Sequence, residues 1–325
     1  MPKLVKRNPI KNSKFSIKQF YEKRNNILIW HDKGGLGDVF MQRMMINDVK
    51  KIMPSCEITF ACLPEYLDAV KDHTDIKEVI DSRTVETKNY INHYNTCVTI
   101  ADRYENKRAP CLEHRSDIWA KYCGFELTDH DMRIQIPNEL KIKVKEKLNK
   151  IKNDKPLVIL SSVSKMLTKT LMKNQLEWIA EATKHCTLVG IHSREIKELT
   201  DLGLKTIHGI SIPEWIATID AADYVISVDS AAFHAAGGLK KPLTGVFTFA
   251  DGKVYGKYFD FILIQKHRDD GNWDCGPCFK FGDCPKCRTQ PKPCLTELTK
   301  NDFVDGVEKM FLRWPKESLK RKSLI

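Results

Sequence analysis

No stretch of this chain approaches the ~18 consecutive apolar residues that a membrane-spanning helix needs, and its N-terminal segment has no apolar core of the signal-peptide kind. Both absences argue against a membrane-embedded or secreted protein and point to one that stays in the cytoplasm. Two common nucleotide-binding loops are missing as well. The glycines at Gly34, Gly35 and Gly37 are not followed by Lys-Ser or Lys-Thr, and their spacing is not GxGxxG. The body of the chain also lacks net charge. The formal +11 sits at the ends, where residues 1–25 carry eight Lys/Arg against one Glu and residues 312–325 carry five against one. Such ends are either solvated tails or contacts for a phosphate-rich partner, a nucleic acid or an anionic lipid surface.

What is present is enough for two ordinary domains: 325 residues, 42% of them apolar. The first half reads as repeated strand and helix. Asn26–Trp30 is a buried strand running into the glycine-rich turn, and a helix follows from about Val39 to Ile52, ended by Pro54. Strands are expected at Cys56–Cys62, Lys77–Ile80, Thr96–Ile100 and Met132–Ile136. A helix is expected over Pro110–Tyr122, with Trp119 and Tyr122 on one core-facing side. After a Lys-rich amphipathic helix the boundary falls near residue 153, giving an N-terminal domain 1–153, a C-terminal domain 154–311 and a basic tail 312–325. The same rhythm then restarts at Leu157–Ser161. Two consecutive halves of this kind imply two parallel-sheet domains of Rossmann type, an α/β architecture with its active cleft between them.

The most informative stretch is Tyr224–Phe247. A β-branched strand stops at Asp229-Ser230, a small-residue helix runs to Gly237-Gly238, and Pro242 opens another apolar strand. Asp and Ser cap helix N-termini, and ligands of parallel sheets sit outside strand carboxyl ends, where helix N–H groups receive anions. Asp229, Ser230 and His234 stand at that place. The bland alternative is an ordinary cap beside a core histidine.

The segment from Ile212 to Phe247 resembles the donor-site signature of glycosyltransferase family 9, the ADP-heptose:lipopolysaccharide heptosyltransferases and their relatives. That signature is a helix, a strand ending in V-D-S/T-G, a histidine five residues after the Asp, a small-residue helix and a K-P strand. GGLGDVF at Gly34–Phe40 resembles the family's L-G-D start, and Pro54, Ile58 and Phe60 match its P-x-x-x-I-x-F. The resemblance implies a GT-B fold and inverting sugar transfer from a nucleotide diphosphate without a catalytic metal. It places the general base on Asp38, beside Gly35 and Gly37. The phosphate-binding lysine falls on Lys169, with Lys165 as a rival, helped by Ser162 or Ser164 and by the N–H groups at Ser230, Ala231 and Ala232. Asp229 takes donor hydroxyls, Glu195 the ribose and Ile210 a face of the base, and His234 completes the donor set. The sequence departs from the family at Ala231, where Gly is usual, and in lacking Trp-Pro after the lysine.

Cys275, Cys278, Cys284 and Cys287 form two CxxC pairs, with Cys294 as an alternate ligand. Only five residues separate the pairs, against the ~15 to 20 of common zinc modules. The cluster reads either as a structural zinc site or as free or redox-sensitive thiols. The acceptor implied for the enzyme is large and anionic, either lipopolysaccharide core reached by peripheral contact at the inner membrane face or DNA bearing a hydroxylated base. A non-catalytic, zinc-bearing nucleic-acid-binding protein on a transferase scaffold is the competing class.

Overall fold

A computed structural model describes residues 25–107, 111–152, 154–266, 277 and 293–316. The basic leader, the four cysteines Cys275, Cys278, Cys284 and Cys287, and the tail beyond residue 316 lie outside the described residues. The chain divides into two compact units. The first takes residues up to Tyr104 and Glu113–Gln135, the second Glu105–Leu112 and everything from Ile136 onward.

The first unit is built on a four-stranded parallel sheet. Its elements are β1 (Asn26–Trp30), α1 (Leu36–Ile52), β2 (Glu57–Cys62), β3 (Ile76–Asp81), β4 (Asn92–Asn95), α2 (Val98–Lys107) and α3 (Arg115–Tyr122). The strand order is β3-β2-β1-β4. A strand buried on both faces has no polar alternation, and Ile27, Leu28 and Ile29 are indeed fully buried in β1. Each such side chain contributes roughly 1.5–3 kcal/mol over its exposed state. The strand expected at Thr96–Ile100 lies earlier, at Asn92–Asn95, because the Asn95 side chain accepts from the Cys97 N–H at 2.9 Å and ends the ladder. Met132–Ile136 is not a strand. Its carbonyls are taken by a buried side chain instead, Arg43 Nε donating to Met132 O at 2.7 Å and Arg43 Nη2 to Arg133 O at 2.9 Å. Trp119 is core as expected, whereas Tyr122 is 64% exposed, one residue before the helix C-cap.

The second unit carries a six-stranded parallel sheet. In chain order it holds α4 (Asn138–Lys152), β5 (Leu157–Ser161), α5 (Lys173–Ala182), β6 (Thr187–Ile191), α6 (Lys197–Thr200), β7 (Lys205–Ile207) and α7 (Ile212–Asp220). After these come β8 (Tyr224–Val228), α8 (Ala231–Gly238), β9 (Leu243–Val246), α9 (Gly252–Tyr255), β10 (Ile262–Ile264), α10 (Pro293–Thr296) and α11 (Lys300–Arg313). The order is β10-β9-β8-β5-β6-β7. All five residues of β8 are buried, which suits a central strand. Helix α4 belongs here and not to the first unit, so the expected boundary near 153 falls inside the second unit. The helix buries Val144 and Leu148, and its Lys143 pairs with Glu214 of α7 at 3.1 Å. At the other end α11 buries Phe303, Val307 and Met310 completely, and the Tyr224 hydroxyl donates to Trp314 O at 2.7 Å. Gly306 permits that approach, since a Cβ there would stand 2.5 Å from Ile264 Cδ1. No helix among the described residues is long and apolar enough to cross a membrane.

Candidate active site

In the first unit the chemistry gathers where β1 ends. Gly34 turns the chain at φ +130, a conformation that favours glycine, and Gly35 then caps α1. Asp38 is the third residue of that helix. Its Oδ2 accepts from the Gly35 N–H at 2.8 Å, half of a capping box. Its Oδ1 accepts from Arg115 Nη1 at 2.8 Å, and Arg115 Nη2 donates to Asp102 Oδ1 at 2.7 Å. Helix α3 holds the arginine there, because Ser116 Oγ donates to Met41 O at 2.8 Å and the Trp119 indole donates to Cys97 O at 3.2 Å. Burial pushes the Asp38 carboxyl upward. The Arg115 guanidinium, then His31 and the Gly35 N–H, outweigh that push and hold the group below its ordinary value. Asp38 is therefore a carboxylate at neutral pH. Gly37, the residue before Asp38, lies in the first turn of α1.

His31 lies against this carboxylate and is fully buried. Its Nδ1 is 2.8 Å from Thr96 O, and the Gln42 amide nitrogen closes the triangle at 2.5 Å from Nδ1 and 3.0 Å from the carbonyl. Burial pulls the imidazole below its ordinary value of 6.5 despite the nearby Asp38 charge. It is neutral at pH 7.

In the second unit the polar groups stand at the carboxyl ends of neighbouring strands. Lys169, in the turn Leu167–Lys169 after β5, lies 2.6 Å from Asp229 Oδ2 at the end of β8. Its ammonium also stands 4.9 Å from the centre of the Phe249 ring. Ser230 caps α8, its Oγ accepting from the Ala232 N–H at 3.3 Å while lying 3.3 Å from Ser161 Oγ and 3.1 Å from Ser227 Oγ. Around this ion pair, the hydroxyls of Ser162, Thr168 and Thr248 are buried without a hydrogen-bond partner among the described residues. Buried hydroxyls are normally satisfied, so three orphans on loops following β5 and β9 mark a surface shaped for a polar ligand. Gln265 fixes the last of these loops, donating to Thr248 O at 2.9 Å and Ala250 O at 2.6 Å.

The structure thus brings together Lys169, Asp229, Ser230 and Ser162. Ser164 has a structural part, its N–H donating to Thr170 Oγ1 at 3.2 Å. Ala231 opens α8 half-buried, and His234 packs inside it with ring centres 5.5 Å from Phe233 and 6.2 Å from Phe259. Lys165 is exposed, and Ile210 lies half-buried before α7. Glu195 is exposed in the loop after β6 and makes no ion pair among the described residues. His31, Arg115, Asp102, Thr168 and Thr248 are additions. The histidine adjoins the glycine turn, a visible signal, while Arg115 lies 77 residues from its carboxylate and gives none. Among the described residues no cluster of metal-ligating side chains forms, and Cys294 is buried in α10.

No protein-family model and no curated sequence matches this chain. Solved structures do. A glycosyl transferase of family 9 from Veillonella parvula DSM 2008 superimposes with a TM-score of 0.66 at 12% identity, covering 89% of this chain and 98% of that one. ADP-heptose lipopolysaccharide heptosyltransferase II of E. coli gives 0.64 at 10% identity over 89% and 99%. The iron-containing dodecameric glycosyltransferase TibC from enterotoxigenic E. coli H10407 gives 0.64 at 13% identity over 90% and 77%. The likeness spans both sheets, and the chain has the GT-B fold of the family 9 glycosyltransferases and ADP-heptose heptosyltransferases that it resembles.

Proposed function

We propose that the protein is an inverting glycosyltransferase that moves a sugar from a nucleotide diphosphate to a hydroxyl. The observation that carries the reading is the Lys169–Asp229 pair, 2.6 Å apart, set among the orphaned hydroxyls of Ser162, Thr168 and Thr248. A diphosphate supplies acceptor oxygens for a lysine and for hydroxyl donors, and the capped N-terminus of α8 adds N–H groups from Ala231 onward. Asp229 then serves the sugar hydroxyls, with Glu195 and Ile210 on the ribose and base. In the first unit, ionised Asp38 is the base for the acceptor hydroxyl. As that oxygen attacks the anomeric carbon, the sugar–phosphate bond breaks and its electron pair leaves with the diphosphate, whose charge Lys169 stabilises. This route calls for no catalytic metal.

The donor we infer is an ADP-activated heptose or a related sugar, since ADP-heptose is in the name of a structural relative. The acceptor is a large anion, lipopolysaccharide core, met by the basic ends of a cytoplasmic protein in peripheral contact with the inner membrane. DNA bearing a hydroxylated base meets the same charges and is the alternative acceptor. A structural zinc on the cysteine pairs is compatible with either. The test is thermal unfolding of the full chain with a panel of ADP-, UDP-, GDP- and CDP-sugars. Stabilisation by one nucleotide class, lost in Lys169→Met, supports the reading. No stabilisation by any of them rejects it. Transfer to lipopolysaccharide core or to hydroxymethylated DNA, lost in Asp38→Asn, then distinguishes the acceptors. Salt-dependent DNA binding that Asp38→Asn leaves intact, with no transfer, would favour the non-catalytic class.

A further inference from the structure

His31 is fully buried, yet its Nε2 has no hydrogen-bond partner among the described residues. The other ring nitrogen faces Thr96 O at 2.8 Å, a group that only accepts. The Gln42 amide nitrogen, a donor, stands 2.5 Å from the same Nδ1, so the neighbours of Nδ1 accommodate either neutral tautomer; a proton on Nδ1 leaves the lone pair on Nε2, and that is the form the dyad requires. His31 Nε2 lies 2.6 Å, and Asp38 Oδ2 2.9 Å, from the point where a Cβ of Gly34 would stand. The two atoms converge on one place, where Asp38 Oδ2 accepts from the Gly35 N–H and His31 Nε2 has no partner among the described residues. Gly34 keeps the place clear, since its φ of +130 disfavours any side chain. Trp30 Nε1 and Asp32 Oδ1 on either side are also buried without a partner among the described residues.

We propose that His31 is the second member of a proton-sharing dyad with Asp38. The proton released by the acceptor hydroxyl passes to Asp38 Oδ2 and on to His31 Nε2, leaving an imidazolium beside a carboxylate as the diphosphate departs with the electron pair of the broken bond. The inference rests on the glycosyl-transfer reading. It answers a difficulty in that reading, because a carboxylate paired with Arg115 holds a proton poorly. The groups facing the ring are Asp38 and the Gln42 amide from α1, Asp32 from its own loop, Arg115 from α3, the Thr96 carbonyl and the edge of Trp119. Asp38 and Asp32 favour a charged ring and Arg115 opposes it. His31 acts through Asp38 and is a positioning residue.

The test uses the full chain with ¹⁵N-labelled histidine. Ring signals are followed from pH 8 to pH 4.5, with His31 assigned by its loss in His31→Gln and by ring contacts with Trp119. The expected result is an Nδ1–H tautomer whose titration moves to still lower pH in Asp38→Asn, because the carboxylate that favours the imidazolium is gone. An Nε2–H tautomer, or a titration that Asp38→Asn leaves in place, overturns the dyad. A kinetic arm uses ADP-heptose as probe. His31→Gln should lower kcat about 100-fold, hold KM within about threefold, and move the acid limb of the kcat profile to lower pH. Unchanged kcat and limb also overturn it. If the wild-type chain leaves every ADP-sugar untouched while the ring signals behave as expected, glycosyl transfer from such donors fails and the proton-sharing pair stands.

Discussion

Lys169 and Asp229 are paired at 2.6 Å, with Asp229 almost fully buried and Lys169 largely so. A buried charge stripped of its partner is costly, so Lys169→Met should destabilise the protein as well as weaken nucleotide binding. The double variant Lys169→Met/Asp229→Asn separates the two effects. Unfolding in urea should show stability largely restored, while calorimetric titration with ADP should still show affinity reduced about 10- to 100-fold, the worth of a charged hydrogen bond. Recovery of ADP affinity in the double variant would remove Lys169 from the phosphate site.

Arg115 has the opposite electrostatic task, and its loss should appear in a pH profile. With Arg115→Met, the upward push of burial on Asp38 is no longer countered by the guanidinium, so the carboxyl should rise from below its ordinary value. A base that protonates at higher pH works less well in mild acid. Transfer at pH 6 should therefore fall more steeply than at pH 8, and the acid limb of kcat/KM should move upward. An unmoved limb would show that Arg115 positions α3 and does not tune the base.

How far these groups could be read from sequence depends on how local their causes are. Strand β1, the Ser230 cap and the alternation of β8, α8 and β9 follow from residues within one or two turns of each other, and they stand where the residue pattern places them. The glycine turn and helix start beside Asp38 are visible in the residues, whereas its role and the choice of Lys169 over Lys165 come from the family resemblance; the structure sets Lys169 against Asp229. The ion pair at Asp38 was not legible, since Arg115 arrives from a helix 77 residues away. Met132–Ile136 alternates as a strand would, but a side chain on α1 claims its carbonyls. Helix α4 is amphipathic from sequence alone, yet which unit it joins is decided by the packing of its apolar face, with buried Val144 and Leu148, against α7, a helix much later in the chain.

His73 gives the first unit a predictable weakness in acid. It is buried, its Nδ1 accepts from the Asp75 N–H at 3.2 Å, and burial followed by the Arg43 charge lowers it from 6.5 to about 4. Unfolded chain then binds a proton that folded chain refuses as the pH falls through 6.5. Stability should decline from there and level off near pH 4, by roughly 3 kcal/mol in all at ~1.4 kcal/mol for each unit of pKa. His73→Gln should remove that part of the slope in urea titrations at successive pH values. A slope that persists would assign it to other buried histidines, His31 first.

Arg43 carries the heaviest structural load of any charged side chain described in the first unit. Fully buried on α1, it donates to Asp72 in a two-point contact at 2.7 and 2.8 Å, and to the carbonyls of Ala69, Met132 and Arg133 at 2.7, 2.7 and 2.9 Å. The planar fork of an arginine satisfies these acceptors together, and a lysine does not. Arg43→Met takes the donor from three carbonyls and leaves Asp72 with the Gln135 N–H at 2.7 Å, at an expected cost of about 3–5 kcal/mol. Asp72→Asn should cost less, because the amide oxygen still accepts from the guanidinium and the site keeps one solvent-facing edge. Urea midpoints at pH 7 measure both. Equal losses would mean that the carboxylate charge, and not the satisfaction of the carbonyls, is what Arg43 supplies.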